Sequence, residues 1–367
     1  MALILRYFTL LIVALMATSL PLKAIEDENV LNLYIWQGMV PPEIIAKFEK
    51  ETGVKVIVDF FDSNEVLEAK LLLGRSGYDL VFPSAWPYLA RQVPAELYQK
   101  LDKKKLQNYK KIDPIAFQRL DEADPGNLYA IPITWGLIGF GYNEDLVKEI
   151  MPDAPVDSWA MFFDPNVIRK FNSCGVTMLD EAVDVFVPAL LYLKLDASTA
   201  SKEDIDKAVT LLQSVRPYID RFDVARSPSE LASGDMCLVQ HWISNLYIAY
   251  NDVPKNQRSN IKFVIPKEGA GMWIDVAAIP ADAPHADNAH KFLDFILRPE
   301  NIAATSNKNF FGNFVPESKQ FMDKSLVNNK LIFPDKKDMK KFVLTTAKAP
   351  KFQRMMTRAM TKVRTGT

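Results

Sequence analysis

Leu31 to Phe82 constrains this chain more than any other stretch. Leu31-Asn-Leu-Tyr-Ile35 alternates apolar and polar residues and reads as a strand. Pro41 to Thr52 reads as a helix: prolines open it, Ile44, Ile45 and Phe48 fall at helical spacing, and Gly53 closes it. Val54 to Phe60 is a second strand, Asn64 to Leu73 a second helix stopped by Gly74, and Tyr78 to Phe82 a third, short strand. Strand–helix–strand–helix–strand requires an α/β sheet with right-handed crossovers. Ligands of such sheets sit beyond the carboxyl ends of the strands. Trp36 and Gln37 follow the first strand, and Ser84, Ala85 and Trp86 follow the third. Both loops are expected to meet at one cleft.

The N-terminus points to export. Arg6 precedes an apolar run from Tyr7 to Leu20, too short for a comfortable membrane span, and Pro21 to Ala24 offers a cleavage site before Ile25. An uncleaved anchor is the competing reading. No cysteine follows the run, which argues against a lipoprotein. Without a leader of residues 1–24, 343 of the 367 residues remain, enough for two domains. The leader holds two bases, Arg6 and Lys23, and no acid. Of 44 basic and 45 acidic residues the remainder therefore keeps a net charge of −3. Near neutrality argues against a nucleic-acid partner.

Chemistry-bearing motifs are few. Cys174 and Cys237 are the only cysteines; in an exported protein an even, small number suggests one disulfide, with two buried thiols as the alternative. There is no CxxC, and His241, His285 and His290 form no HExxH, so neither a metal site nor a cofactor is expected. GxGxxG, GxxxxGK[ST] and GxSxG are all missing, which leaves dinucleotide, nucleotide and hydrolase readings unsupported.

Pro266 to Ala283 sets Trp273 two residues before Asp275 in a strand-like run, so both side chains are expected on one face. An aromatic wall beside a carboxylate suits a small organic cation. Trp273 in the core and Asp275 capping a turn is the local alternative. Glu181 and Asp184 lie three apart at the start of a helix expected from Asp180, where capping competes with ligand binding. Leu128 to Asn143, apolar and glycine-rich, reads as a buried strand pair passing between domains. Asp235 to His241 reads as a strand with Trp242 just beyond it. His285 and His290 flank Asp287 in what reads as a solvated loop and helix start. Lys348 to Lys362 reads as a basic, solvated helix face.

Several segments together resemble one family, the periplasmic spermidine/putrescine-binding proteins of polyamine ABC importers. They are Phe48–Leu71, YDLVFPSA (Tyr78–Ala85), APVDSWAMFFDP (Ala154–Pro165), SCGVTMLDEAVDVF (Ser173–Phe186), Pro266–Ala283 and FLDFILRPE (Phe292–Glu300). The resemblance implies a type II periplasmic-binding-protein fold: two α/β lobes joined by crossing hinge strands and closing over a ligand. The expected division gives residues 25–133 plus about 255–310 to lobe 1, and 134–254 plus about 311–367 to lobe 2.

The resemblance also implies a ligand site. Trp36, Trp242 and Trp273 would pack along polyamine methylenes, with Phe311 at a position usually held by tyrosine. Ser84 and Trp86 would add a small polar group and a further aromatic. Asp275 would grip an amine from one lobe, and Glu181 and Asp184 from the other. Both cysteines stand where the family supports a disulfide. Three further positions, Gly38, Met39 and Asn245, depart from the pattern. Members follow the first strand with Trp, a small polar residue, an acid and Tyr, whereas this chain reads Trp36-Gln37-Gly38-Met39. Asn245 replaces the aspartate of the putrescine-preferring branch. The implied protein is an exported, monomeric receptor that captures a polyamine-like cation and delivers it to an ABC permease in the inner membrane. The rivals are a same-fold receptor for another amine-bearing or other small solute, a same-fold enzyme, and a sensor.

Overall fold

The computed structural model describes residues 29–335, 337–344 and 350–365. The expected leader, its expected cleavage site and Lys348 lie outside the described residues.

The elements that position the site are, in chain order, β1 (Val30–Trp36), α1 (Pro42–Thr52), β2 (Lys55–Phe61), α2 (Asn64–Leu72), β3 (Leu80–Val81), β4 (Ala130–Asn143), β5 (Val176–Met178), α3 (Ala182–Tyr192), α4 (Lys202–Val215), β6 (Arg221–Phe222), β7 (Leu238–Trp242), α5 (Ile243–Asp252), β8 (Ile261–Val264), β9 (Ala270–Ala278), α6 (Ala286–Ile296), α7 (Pro299–Asn309), β10 (Gly312–Asn313), β11 (Phe342–Leu344) and α8 (Pro350–Thr365). β1 pairs in parallel with both β2 and β3, as the strand–helix alternation demands. Pro42 starts α1, and Gly53 ends it in a left-handed turn at φ 72°. Ser63 caps α2 by accepting from the Val66 amide.

Strand order across the described sheet is β2-β1-β3-β9-β4-β7-β5-β6, with β8 and β10 also on β4 and β11 on β9. β4 is one continuous strand of 14 residues, not the expected pair. Its glycines are there for close packing, not for turning. A Cβ on Gly139 would lie 2.3 Å from the Val264 carbonyl oxygen, and one on Gly141 would lie 2.5 Å from Leu231. Residues 130–137 pair with β9, whereas 138–142 pair with β7 and 140–143 with β8. β4 thus runs from one half of the molecule into the other.

Two hydrophobic cores lie on either side. The first gathers Leu31, Phe48, Leu80, Ile131, Phe292 and Ile302; the second gathers Phe140, Trp159, Phe163, Phe186, Leu212 and Leu238. Phe314, Val315, Leu326, Phe333 and Phe342 pack in the first core, because β10 docks on β4 and β11 on β9. From the segment beyond 311, Met356, Ala359, Met360 and Val363 of α8 join the second core. Cys174 and Cys237 form a disulfide with their Cα atoms 5.4 Å apart.

Asp282, Pro284 and Asp287 are exposed, as a solvated loop and helix start would be, but both histidines are engaged. His290 is buried in α6; its Nδ1 donates to the Ala286 carbonyl at 2.7 Å while its Nε2 accepts from the Asp102 amide at 3.0 Å. His285 holds the buried Asp79 through both its amide and its ring.

Candidate functional site

Three of the expected residues stand on successive rungs of β4. Thr134 pairs with Asp275, Gly136 with Trp273, and Ile138 with Trp242. Directly opposed residues share a face, and so do alternate residues along a strand. Asp275, Trp273 and Trp242 therefore line one face of the sheet. Gly136 makes the arrangement possible: a Cβ there would lie 2.3 Å from Cζ2 of Trp273. Phe311 meets the Trp273 ring edge-on, with centroids 5.1 Å apart.

Asp275 anchors one end of this row. Its carboxylate accepts from Ser84 Oγ at 2.7 Å, and Ser84 Oγ in turn accepts from Asn64 Nδ2 at 3.1 Å. The Ser84 amide donates to Asn64 Oδ1 at 3.0 Å, fixing the loop after β3 against the start of α2. Burial pushes the Asp275 carboxyl up to about 7, and the Ser84 hydrogen bond opposes that rise. A turn cap would be solvated; Asp275 is 7% exposed. Met39 reaches the same rung, its Sδ 3.9 Å from Thr134 Oγ1. Gly38 before it takes φ 76° and is held through its carbonyl by Asn309 Nδ2 at 2.9 Å.

Asp184 anchors the other end. Its Oδ2 accepts from the Trp242 indole nitrogen at 2.8 Å, and its carbonyl accepts from Gln240 Nε2 at 2.9 Å. Burial, then the charge of Glu181, push the Asp184 carboxyl up to about 7, while the Trp242 bond works against the rise. Glu181 is the N-cap of α3 but makes no capping hydrogen bond. Glu181 is exposed to solvent, although protein atoms crowd its carboxyl. Desolvation and the charge of Glu65 raise its carboxyl to about 7, with Asp180 adding and Arg364 opposing.

Glu65 and Tyr88 are functional candidates that sequence reasoning missed. Glu65, in the first turn of α2, accepts from the Tyr88 hydroxyl and acts on Glu181 from the facing half of the molecule. Ser63-Asn64-Glu65 was visible as a helix start, but nothing in the sequence announced that this start faces Glu181. Arg91 flanks the group, forking onto Glu68 and covering the Tyr88 ring at 4.5 Å.

The remaining expected residues are less closely joined. Trp36 packs on Phe61 with centroids 4.5 Å apart, and Trp86 is buried in the first core. Gln37 is exposed. Asn245, in the first turn of α5, accepts a long 3.4 Å bond from Ser244. The indole nitrogens of Trp36 and Trp273 are buried without a partner. Burial pushes the His241 ring down to about 4, so it is neutral; its Nε2 lies 3.0 Å from the Val224 carbonyl. Among the described residues no group of three or more His, Cys, Asp or Glu side chains is placed to hold a metal ion. Both cysteines are consumed by the disulfide. The arrangement can bind a cation between carboxylates and indoles.

Two α/β halves about a shared strand, with acids and indoles where they meet, define a type II solute-binding fold. Residues 43–334 match the family of bacterial extracellular solute-binding proteins, and the chain belongs to that family. The putrescine-binding periplasmic protein SpuD of Pseudomonas aeruginosa (strain UCBPP-PA14) is 39% identical over 360 residues, 98% of each chain. The putrescine-binding periplasmic protein PotF of Escherichia coli (strain K12) is 40% identical over 356 residues, 96% of each. The solved structure of the Tp0655 (TpPotD) lipoprotein of Treponema pallidum superposes with a TM-score of 0.79 at 26% identity, covering 92% of this chain and 99% of that one. The first two bear the names of binding proteins. No helix of the described residues is long and apolar enough to cross a membrane.

Proposed function

We propose that the chain is a periplasmic receptor that captures a polyamine-class cation between its two halves and delivers it to an ABC permease. The observation that carries this reading is the pair Asp184 and Asp275. Both are buried, both are held by neutral donors, and neither has a Lys or Arg partner among the described residues. A buried carboxylate without a cation is costly. A ligand ammonium at each supplies the missing charge, and the indoles between them cover the methylenes.

A ligand that meets both carboxylates carries at least two ammonium groups. The names of the putrescine-binding relatives support the same class. The leader supports export, and the near-neutral charge supports a small-molecule ligand over nucleic acid. Trp36, Gln37, Trp86, Asn245 and Phe311 complete the proposed site, and the receptor acts as a monomer without bond chemistry.

Calorimetric titration of the leaderless protein with putrescine, cadaverine and spermidine tests the reading. Saturable binding of at least one is expected. No heat and no thermal shift at millimolar ligand would sink the polyamine assignment. Gly38, Met39 and Asn245, in place of an acid, a tyrosine and an aspartate, favour one second reading: an amine-bearing solute with a single charge. Tighter binding of an N-acetylated diamine than of its parent would select it.

A further inference from the structure

The charge balance at the Asp184 end depends on a residue far away in sequence. α8 lays Met356, Ala359, Met360 and Val363 into the second core, packed against α3 and α4. The next residue, Arg364, leaves that face. Its Nη2 donates to the Asp180 carbonyl and lies 3.5 Å from Asp180 Oδ2. Arg216 Nε donates to the Arg364 carbonyl at 3.4 Å and ties down the helix end. Asp180 directly precedes Glu181.

The groups around Glu181 are therefore Asp180 and Asp184 from its own segment, Glu65 and Tyr88 from the other half, and Arg364 from α8. Arg364 acts on Glu181 itself, whereas Arg91, a second base nearby, acts on Glu65 and Tyr88. Its pair with Asp180 is 44% and 41% exposed, and exposed pairs contribute little to stability. Its effect is to be sought in the field it sets up.

We propose that Arg364 is a specificity-determining residue of the cation site. Its fixed guanidinium neutralises Asp180 and keeps positive charge beside Glu181. This end of the slot then takes one ammonium and repels a ligand that brings a second. Selection by repulsion is the cheapest way to separate homologous cations, whose attractive contacts are alike. Arginine suits the role because its charge persists at any physiological pH, and a single nitrogen, Nη2, serves both the carbonyl and the carboxylate of Asp180. The proposal rests on the cation-receptor reading given above.

The test titrates putrescine, spermidine and spermine into wild type, Arg364→Gln, Arg364→Lys and Arg358→Gln at two salt concentrations. Arg358 is an exposed base on the same helix. Arg364→Gln should raise the spermidine-to-putrescine affinity ratio about five- to tenfold, more at low salt than at high salt. Arg364→Lys and Arg358→Gln should keep the wild-type ratio. An unchanged ratio in Arg364→Gln, or equal changes in the Gln and Lys variants, would overturn the proposal while leaving the receptor reading intact. If Arg364→Gln fails to fold, Asp180→Asn decides: it frees the guanidinium and should lower the ratio, and a rise or no change overturns the proposal. A wild type that binds none of the three amines overturns the receptor reading, and this inference with it.

Discussion

Trp242 gives its indole proton to Asp184 at 2.8 Å, and by doing so it joins the aromatic row on β4 to the acid on α3. One side chain thus serves as wall and as orienting donor. Trp242→Phe separates the two roles, since it keeps the ring and removes the donor. Losing a hydrogen bond to a charged group costs about 1.5–3 kcal/mol. Amine affinity should fall about tenfold or more, and the Asp184 carboxyl should rise further, because that bond holds it down. Titration calorimetry at pH 7 and pH 8.5 checks both, the deficit being smaller at the higher pH.

The pH dependence follows from three carboxyls raised to about 7: Glu181, Asp184 and Asp275. Unfolded, such groups titrate near 4. Between about 4 and 7 the ligand-free fold binds more protons than the unfolded chain, so its stability declines as pH rises through that window. Ligand binding runs the other way. Amines stay protonated to about 10, while the carboxyls must ionise to receive them. Affinity should climb from pH 5 to pH 8, and binding near pH 7 should release protons. Calorimetry in buffers of different ionisation enthalpy counts those protons. Pure buffer independence at pH 6.5 would contradict the assignment.

Some of this was legible in the sequence, for physical reasons. Period-two alternation at Leu31 to Ile35 and proline and glycine at the ends of α1 are local signals, and the structure follows them. Trp273 and Asp275 share a face because a strand has no other choice. β4 misled because glycine within an apolar run signals a turn as readily as a close approach. Only the partners of Gly136, Gly139 and Gly141 distinguish the two. Glu65, Tyr88 and Arg364 were illegible for a different reason. Each looks like ordinary helix-surface polarity in sequence, and their meeting at Glu181 is a product of how the two halves and α8 pack.

Gly136→Ala tests that packing directly. The new methyl would stand 2.3 Å from Trp273, whose ring is wedged between Phe311 and the strand. Overpacking of this kind costs about 1–3 kcal/mol. Lower thermal stability is expected together with weakened amine binding, since Trp273 must move off the rung. Gly126→Ala serves as a control for glycine replacement; its new Cβ would meet Leu128 no closer than 3.6 Å, although its φ of 75° adds strain of its own.

Reduction of the disulfide should lower stability without altering ligand choice. Cys174 and Cys237 close a 63-residue loop, for which chain entropy gives about 4 kcal/mol at most. Thermal unfolding with and without reductant measures the loss, and amine titration of the reduced protein checks that the ranking of ligands is kept.

Asp275→Asn and Trp273→Ala address the centre of the site. Asparagine keeps the size of Asp275 and an acceptor for Ser84 Oγ, so the loop after β3 should hold its place. What it loses is the charge that meets an ammonium, worth about 1.5–3 kcal/mol, or roughly ten- to a hundredfold in affinity. Burial penalises the charged form of Asp275, so the asparagine variant should also be at least as stable as wild type above pH 7 in the absence of ligand. Trp273→Ala removes the wall over Gly136 and should cost at least tenfold in affinity together with stability. Weaker binding in a more stable Asp275→Asn protein is the signature of a carboxylate that holds the ligand. Wild-type affinity in both variants would instead make Trp273 core and Asp275 a local support for Ser84, with the cation held elsewhere.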